Sequence, residues 1–238
     1  MSTCVIMQPT AFPWAGYFNL MAQADVFVFL DDVQLAPRSW QTRNQIIMNG
    51  SKQWISFDIR NSGSRQLINE ALIFDLDHWK KKNIKTISQA YARHPHAEAV
   101  REILYLLDGF KSPSLSVFNE GLIGFIAERL DISAVRFKSS QIKSDGKRGD
   151  RIISICEAVM ASEYLSPMGS KEYLEIDRFT EKTTISLRFQ DYAPGVYRQH
   201  GRDSFKSHLS IIDVIANLGW NLTKEYIRGT RNESAPHN

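Results

Sequence analysis

The chain has 238 residues, 43% of them hydrophobic, with a formal net charge of +3 at pH 7. This length suits one large domain, and so small a positive charge gives no argument for nucleic acid as a partner. No apolar run approaches the roughly eighteen residues of a membrane span, and the first residues lack the pattern of a signal peptide. With only two cysteines, we expect no disulfide framework and predict a cytoplasmic protein.

The first predicted elements are two apolar strands joined by a helix. Residues 5–7 and 26–30 are apolar at every position, which is typical of strands buried on both faces. Residues 18–24 have a helical pattern, so the segment predicts a parallel strand–helix–strand unit with a right-handed crossover. Further on, Asn49-Gly50 stands between two β-rich runs and predicts a hairpin.

The rest of the chain alternates helical and strand patterns. We predict helices at 78–107, broken at His94-Pro95, at 114–130 with Ser112 or Ser114 as cap, after "SDGKRGDR", and at 207–219, closed by Gly219. Strands at about 4–8, 26–30, 134–138 and 163–166 are predicted to be parallel neighbours, and 183–192 a strand near an edge. The fold class is therefore α/β, a Rossmann-like parallel sheet in one domain (1–228) with insertions at about 36–112, followed by a disordered tail (229–238).

Four loops leave the carboxyl ends of these strands, where ligands bind in open α/β sheets. They read "QPTAFPWAGY", "DDVQLAPRSWQTRN", "SDGKRGDR" and "SPMGSKEY". In the first loop two prolines stiffen the turn, Gly16 permits close backbone approach, and the helix that follows offers free N–H groups to a phosphate. The alternative is a rigid turn that packs Phe12 and Trp14 into the core. Neither the dinucleotide-binding nor the P-loop glycine pattern is present.

Asp31 and Asp32 end the second strand. Because adjacent strand residues point to opposite faces, we expect one carboxylate, Asp32, to face the pocket as a base and Asp31 to hold a neighbouring loop. The alternative is a helix cap or a salt bridge to Arg38 or Arg43.

Several polar residues are candidates for binding an anion or moving a proton. Arg43 and Asn44 resemble a fork for phosphate or carboxylate, and Lys147 and Arg151, four apart at a helix start, can reach one anion; solvated surface charges are the alternative. His200 is a candidate general base, with an ordinary surface histidine as the alternative. No histidine has partners at metal-ligand spacing, so no metal site is predicted.

The segment "IMQPTAFPWAGYFNLMAQADVFVFLDDVQ" resembles the opening of the WbqC-like family of bacterial proteins. The resemblance continues through "SWQTRNQI", "KSDGKRGDRIISICEAV" and "EYLSPMGSKEYL" to about Gly219. It implies a role in O-antigen or other surface-polysaccharide biosynthesis, by adding an acyl or aminoacyl group to a nucleotide-linked amino sugar. The positions that match the family are Gln8, Pro9, Phe12, Gly16, Tyr17, Asp31, Asp32, Gln34, Trp40, Arg43, Asn44, Lys147 and Arg151.

The chain departs from the family in its late loops. The family often has Ser-Gly-Pro-Gly where this chain has Ser166 to Gly169, and a threonine where it has Arg148. Ser166 and Gly169 remain candidate binding residues. The opening also resembles the adenylate-forming and nucleotidyl-transfer α/β fold that includes pantothenate synthetase, but Trp14 and Tyr17 replace that fold's two histidines. The first loop is therefore predicted to be a stiff aromatic rim that stacks a base or sugar.

Three functions remain open at this stage. The first is an acyl- or aminoacyltransferase acting on a nucleotide-linked amino sugar, with an acyl carrier protein or a CoA thioester as donor. The second is a nucleotidyltransferase or amide ligase that uses ATP and Mg²⁺, and the third is a sugar-nucleotide-binding protein without catalysis. The sugar, the donor and any homo-oligomer are left open.

Overall fold

The structure is a computed structural model that describes residues 2–60, 65–201 and 204–229. Most of the predicted tail, 230–238, lies outside these residues. The strands are β1 (Thr3–Met7), β2 (Val26–Phe29), β3 (Arg43–Met48), β4 (Ser51–Ser56), β5 (Val135–Lys138), β6 (Glu163–Ser166) and β7 (Ser186–Phe189). The helices are α1 (Ala15–Ala22), α2 (Leu76–Tyr91), α3 (Ala97–Gly109), α4 (Leu115–Arg129), α5 (Gly149–Ala158), α6 (Lys171–Ile176), α7 (Phe179–Lys182) and α8 (Ile211–Ile227). Short 3-10 turns cover Ile68–Glu70, Ser139–Gln141 and Met168–Ser170.

Five strands form one parallel sheet in the order β5-β2-β1-β6-β7. The chain moves outward from β1 to β2 and β5, and then returns to the other side of β1 for β6 and β7. The direction of winding therefore reverses between β1 and β6, which is the place where an open α/β sheet has its ligand crevice. The predicted α/β fold, with its parallel neighbours and β7 at an edge, is confirmed.

Alternation along the central strands supplies a core on each face of the sheet. Val5 and Phe27 belong to the larger core, where they pack with residues of α1, α3, α4 and α8. Cys4 and Val28 belong to the smaller core, which α5, α6 and α7 complete. The two-sided burial explains why these strands are apolar at every position.

The predicted hairpin is also confirmed, as β3 and β4 pair antiparallel around Asn49-Gly50. Its inner face carries Ile46 and Ile55, both 1% exposed. The inserted segment shares the larger core: Phe57 stacks on Trp79 with ring centroids 4.5 Å apart, and both rings contact Phe118 of α4.

The helix predicted to close at Gly219 does so, but a second helical segment follows it directly, and α8 includes both segments. Gly219 has φ 69° and ψ −179°, a conformation open essentially to glycine alone, and it kinks α8. Helix resumes as far as Ile227 because that residue is fully buried and its carbonyl accepts a 2.7 Å hydrogen bond from Asn19 of α1. In the part of the chain that the structure describes, no helix is long and apolar enough to cross a membrane.

Candidate functional site

The loops after β2 and β5 meet at the carboxyl edge of the sheet. Asp31, 2% exposed, accepts hydrogen bonds from the Ser140 amide (3.0 Å) and the Ser140 hydroxyl (2.7 Å). Its carboxylate is also 3.1 Å from the hydroxyl of Ser139, which follows β5 directly. Asp31 thus ties the end of β2 to the end of β5, as predicted for the aspartate that holds a neighbouring loop.

Asp32 lies beside Asp31, shares the Ser139 hydroxyl with it and has a further, charged partner. Its carboxylate contacts the Ser139 hydroxyl and forms an ion pair with the guanidinium of Arg151 on α5. Since Ser139 has one hydroxyl proton, it can donate to only one of the two aspartates at a time. The side chains of Asp32 and Arg151 are 19% and 23% exposed, so solvent and a ligand can reach the pair.

The predicted alternation of the two carboxylates is not observed. β2 ends at Phe29, and the Asp31 amide donates to the Phe29 carbonyl at 3.1 Å, which is a tight turn. Beyond that turn the two side chains no longer follow the pleat, and both reach Ser139.

The backbone amide at the start of α5 is capped by a carboxylate of the protein itself. The Gly149 amide donates to the carboxylate of Asp177 at 2.9 Å, and Arg148 lies 3.3 Å from the same oxygen. A Cβ at Gly149 would lie 2.9 Å from the Cβ of Asp177, so the close approach requires glycine. Lys147 is exposed and, within the described ranges, has no hydrogen-bond or ion-pair partner.

A cavity of about 230 Å³ opens at the point where the winding reverses. It is lined by Met7, Trp14, Gly16, Tyr17, Leu20, Pro167, Met168, Gly169, Gln190 and Tyr192. The ring centroids of Trp14 and Tyr192 are 6.0 Å apart. A Cβ at Gly16 would lie 2.1 Å from the Trp14 indole, so glycine is needed for the indole to lie there. The Gln190 amide donates to the Gly16 carbonyl at 2.8 Å and holds this wall in place.

Four predicted binding residues therefore line the cavity, namely Trp14, Gly16, Tyr17 and Gly169. Two others lie next to these. Ser166 is fully buried, with its hydroxyl 3.3 Å from the Pro167 carbonyl. The carbonyl of Gln8 accepts a 3.2 Å hydrogen bond from the Tyr17 hydroxyl, and its side chain accepts one from Gln41.

Three further candidates make contacts that hold the fold together. Phe12 is 1% exposed and packs against Phe57 and Trp79. For this residue the structure agrees with the alternative, a rigid turn that packs its aromatic side chain into the core. Asn44 is buried and donates to the Phe12 carbonyl at 2.8 Å, so it fixes the first loop against β3. Gln34 is exposed and forms an isolated bridge with Leu67.

Trp40 and Arg43 lie together on the exposed side of the hairpin. The Arg43 guanidinium sits 4.3 Å from the ring centroid of Trp54, and the Trp40 and Trp54 rings are 6.0 Å apart. Trp40 and Trp54 are 54% and 38% exposed. Arg43 thus contacts an aromatic ring, and no contact in the described residues joins it to Arg151.

His200 is not brought to the aspartates. Its amide donates to Asn217 of α8 at 2.7 Å, and its ring centroid is 5.1 Å from that of His94, after α2.

Three residues of the site were not predicted from the sequence, namely Ser139, Ser140 and Asp177. The two serines directly follow a predicted strand, and this position at the carboxyl edge could have identified them. No sequence pattern points to Asp177. No group of three His, Cys, Asp or Glu side chains that could hold a metal ion occurs in the described ranges.

The strand order and the position of the cavity define an α/β protein with a Rossmann-like core and a cavity at the carboxyl edge of its sheet. Residues 8–225 match the model of the WbqC-like protein family, and the chain belongs to that family. It is 30% identical over 226 residues to the uncharacterized protein Rv1507c of Mycobacterium tuberculosis, an alignment that covers 92% of this chain and 95% of the relative. No solved structure matches the chain.

Proposed function

We propose that the protein is a transferase that forms an amide on the amino group of a nucleotide-linked sugar, for surface-polysaccharide biosynthesis. The observation that carries the proposal is the cavity beyond the carboxyl ends of β1 and β6, with Trp14 and Tyr192 in its walls. Aromatic rings stack on a nucleobase at about 1–3 kcal/mol per base. A cytoplasmic location suits the two buried free thiols.

The size of the cavity indicates which part of the substrate it holds. At about 230 Å³ it is smaller than the roughly 300–1,000 Å³ of pockets that enclose a whole drug-sized ligand. We therefore assign it one part of the nucleotide sugar, and the remainder extends along the carboxyl edge towards Asp32 and Arg151.

In this proposal Arg151 and Lys147 bind the diphosphate. Arg151 now pairs with Asp32, so an incoming phosphate would take over the guanidinium and release the Asp32 carboxylate. Asp32 then orients the sugar amine and accepts its proton. The amine nitrogen attacks the acyl carbonyl carbon, a C–N bond forms, and the bond from that carbon to the thiol or adenylate leaving group breaks. Asp31 keeps Ser139 and Ser140 in position throughout.

The ion pair between Asp32 and Arg151 favours one alternative, a protein that binds sugar nucleotides without catalysis. If the pair persists in the complex, Asp32 has no free role in proton transfer. Turnover distinguishes the two functions, because only the transferase consumes the donor.

The test is calorimetric titration with nucleotide-linked amino sugars, followed by an assay of amide formation with a CoA thioester. We expect Trp14→Ala to weaken binding about ten-fold or more, from the loss of one stacking partner. Phe74→Ala, which removes a 62% exposed aromatic ring outside the cavity, should leave binding unchanged. Asp32→Asn should lower turnover about 10²–10⁴-fold. Equal affinity of the parent and Trp14→Ala would remove the cavity from the proposal, and binding without turnover by the parent would establish the binding protein.

A further inference from the structure

A second and larger cavity, of about 530 Å³, lies between α4 and the edge strand β5. Its apolar walls are formed by Phe29, Leu106, Val117, Phe125 and Phe137. Val117 and Phe137 are 41% and 42% exposed, so the cavity opens to solvent. None of these residues lines the cavity beyond the carboxyl ends of β1 and β6.

Two ion pairs between β5 and α4 line this cavity, and they differ in how far the carboxylate is exposed to solvent. Arg136 bonds Glu128 at 3.0 Å and also donates to the Gly124 carbonyl at 3.2 Å. Lys138 bonds one oxygen of Glu120 at 2.6 Å. The Glu128 side chain is 68% exposed, whereas that of Glu120 is 10% exposed.

The second carboxylate oxygen of Glu120, Oε1, is buried and has no partner among the described residues. A buried acceptor that has lost water without gaining a donor carries a cost of about 1–3 kcal/mol, and more for a charged group. Exposed Glu128 can bind water freely, so the need for a donor is specific to the inner pair. A ligand that supplies one hydrogen-bond donor there would remove this cost.

The charges at the inner end of the cavity indicate that the donor is a cation. The pKa of Glu120 is raised above its usual value, chiefly by burial; Lys138 acts in the opposite direction, and the Asp31 carboxylate adds to the rise. Asp31 bonds only neutral serine groups and one backbone amide in the described residues, so its charge is not cancelled by its own partners. In the cavity Lys138 pairs with Glu120 and Arg136 pairs with Glu128, so these four charges balance. The Asp31 carboxylate, which acts on Glu120, adds a negative charge beside them, and this charge attracts a cation.

We propose that this cavity binds a primary ammonium group carried on an apolar body. The ammonium donates a hydrogen bond to the Glu120 carboxylate, and the body packs against the walls that Val117, Phe125 and Phe137 supply. Two sources share this chemistry: a free hydrophobic amino acid and an aminoacyl group whose carboxyl carbon is bonded to a carrier. The site stands apart from the proposed transferase activity, because it requires no sugar nucleotide.

The proposal is tested by calorimetry on the full chain with 3-methylbutylammonium and its uncharged counterpart 3-methylbutanol. The amine should bind, and the alcohol, with the same apolar body, should bind at least ten-fold more weakly. L-leucine and L-leucinamide then separate the sources. Tighter binding of leucine identifies a free amino acid, and tighter binding of leucinamide identifies an aminoacyl group.

Glu120→Gln should weaken the amine roughly ten-fold or more, the loss expected for one charge-assisted hydrogen bond. Glu172→Gln, which removes an exposed carboxylate of α6 outside the cavity, is the control and should leave affinity unchanged. Val117→Trp fills the opening without altering either ion pair, and should abolish amine binding while the thermal midpoint stays near that of the parent. If Glu120→Gln fails to fold, this variant alone tests whether the amine binds in the cavity. Equal affinity for amine and alcohol, unchanged affinity in Glu120→Gln, or no amine binding at all would overturn the proposal.

Discussion

Replacing Asp31 by asparagine tests whether this carboxylate holds the carboxyl edge together. Three groups contact it, namely the Ser139 hydroxyl at 3.1 Å, the Ser140 amide at 3.0 Å and the Ser140 hydroxyl at 2.7 Å. An asparagine amide can occupy the same space and keep these contacts as neutral hydrogen bonds. A charge-assisted hydrogen bond contributes about 1.5–3 kcal/mol and a neutral one about 0.5–1.5 kcal/mol. The loss is therefore about 1 kcal/mol for each contact, and we expect Asp31→Asn to lower the free energy of unfolding by roughly 2–4 kcal/mol.

The measurement is urea unfolding at pH 7, with the denaturant slope checked for two-state behaviour. Asp25→Asn is a suitable control, because Asp25 is an exposed carboxylate just before the same strand and accepts one hydrogen bond, from the Thr3 amide at 2.8 Å. That variant should lose less than about 1 kcal/mol. If Asp31→Asn is no less stable than Asp25→Asn, the carboxylate does not anchor Ser139 and Ser140, and the structural role assigned to it is wrong.

Two other predictions concern titratable groups away from this edge. Cys4 and Cys156 are both fully buried, and a hydrogen bond with Cys4, together with burial, raises the pKa of the Cys156 thiol; a thiol reagent should therefore label neither cysteine in the native protein and both in denaturant. Hydrogen bonds from Arg188 lower the pKa of Glu163 below its usual 4.5. A carboxyl group with a lowered folded-state pKa stabilises the protein above its unfolded pKa and loses that contribution as the pH falls through the folded value. Glu163→Gln should consequently lower the thermal midpoint at pH 7 and differ less from the parent near pH 3; an equal difference at both pH values would contradict the linkage.

Local patterns predicted the sheet well because each strand carries its own evidence. Residues 26–30 are apolar throughout, and Asn49-Gly50 selects a tight hairpin, so each element follows from neighbours in the chain. The aromatic rim was predictable in part: Trp14 lies where the loop after the first strand enters a helix, and this position faces the carboxyl edge of the sheet. Phe12, two residues earlier, lies in the core instead. Composition cannot distinguish the surroundings of these two aromatic residues of one loop, because the direction of each side chain depends on the turn between them.

The sequence by itself determined the class of fold, the parallel neighbours and the edge at which the loops converge. Whether a strand is buried follows from the spacing of its own apolar residues, and this spacing can be read directly from the sequence. The tertiary structure alone decided which charges meet. Arg151 binds Asp32, a residue 119 positions away, and Asp177 binds the amide of Gly149. Lys138 binds one oxygen of Glu120, and the other oxygen has no partner among the residues that the structure describes. Such contacts depend on where the crossovers bring distant segments together, and a charged side chain has no sequence period that reveals its partner.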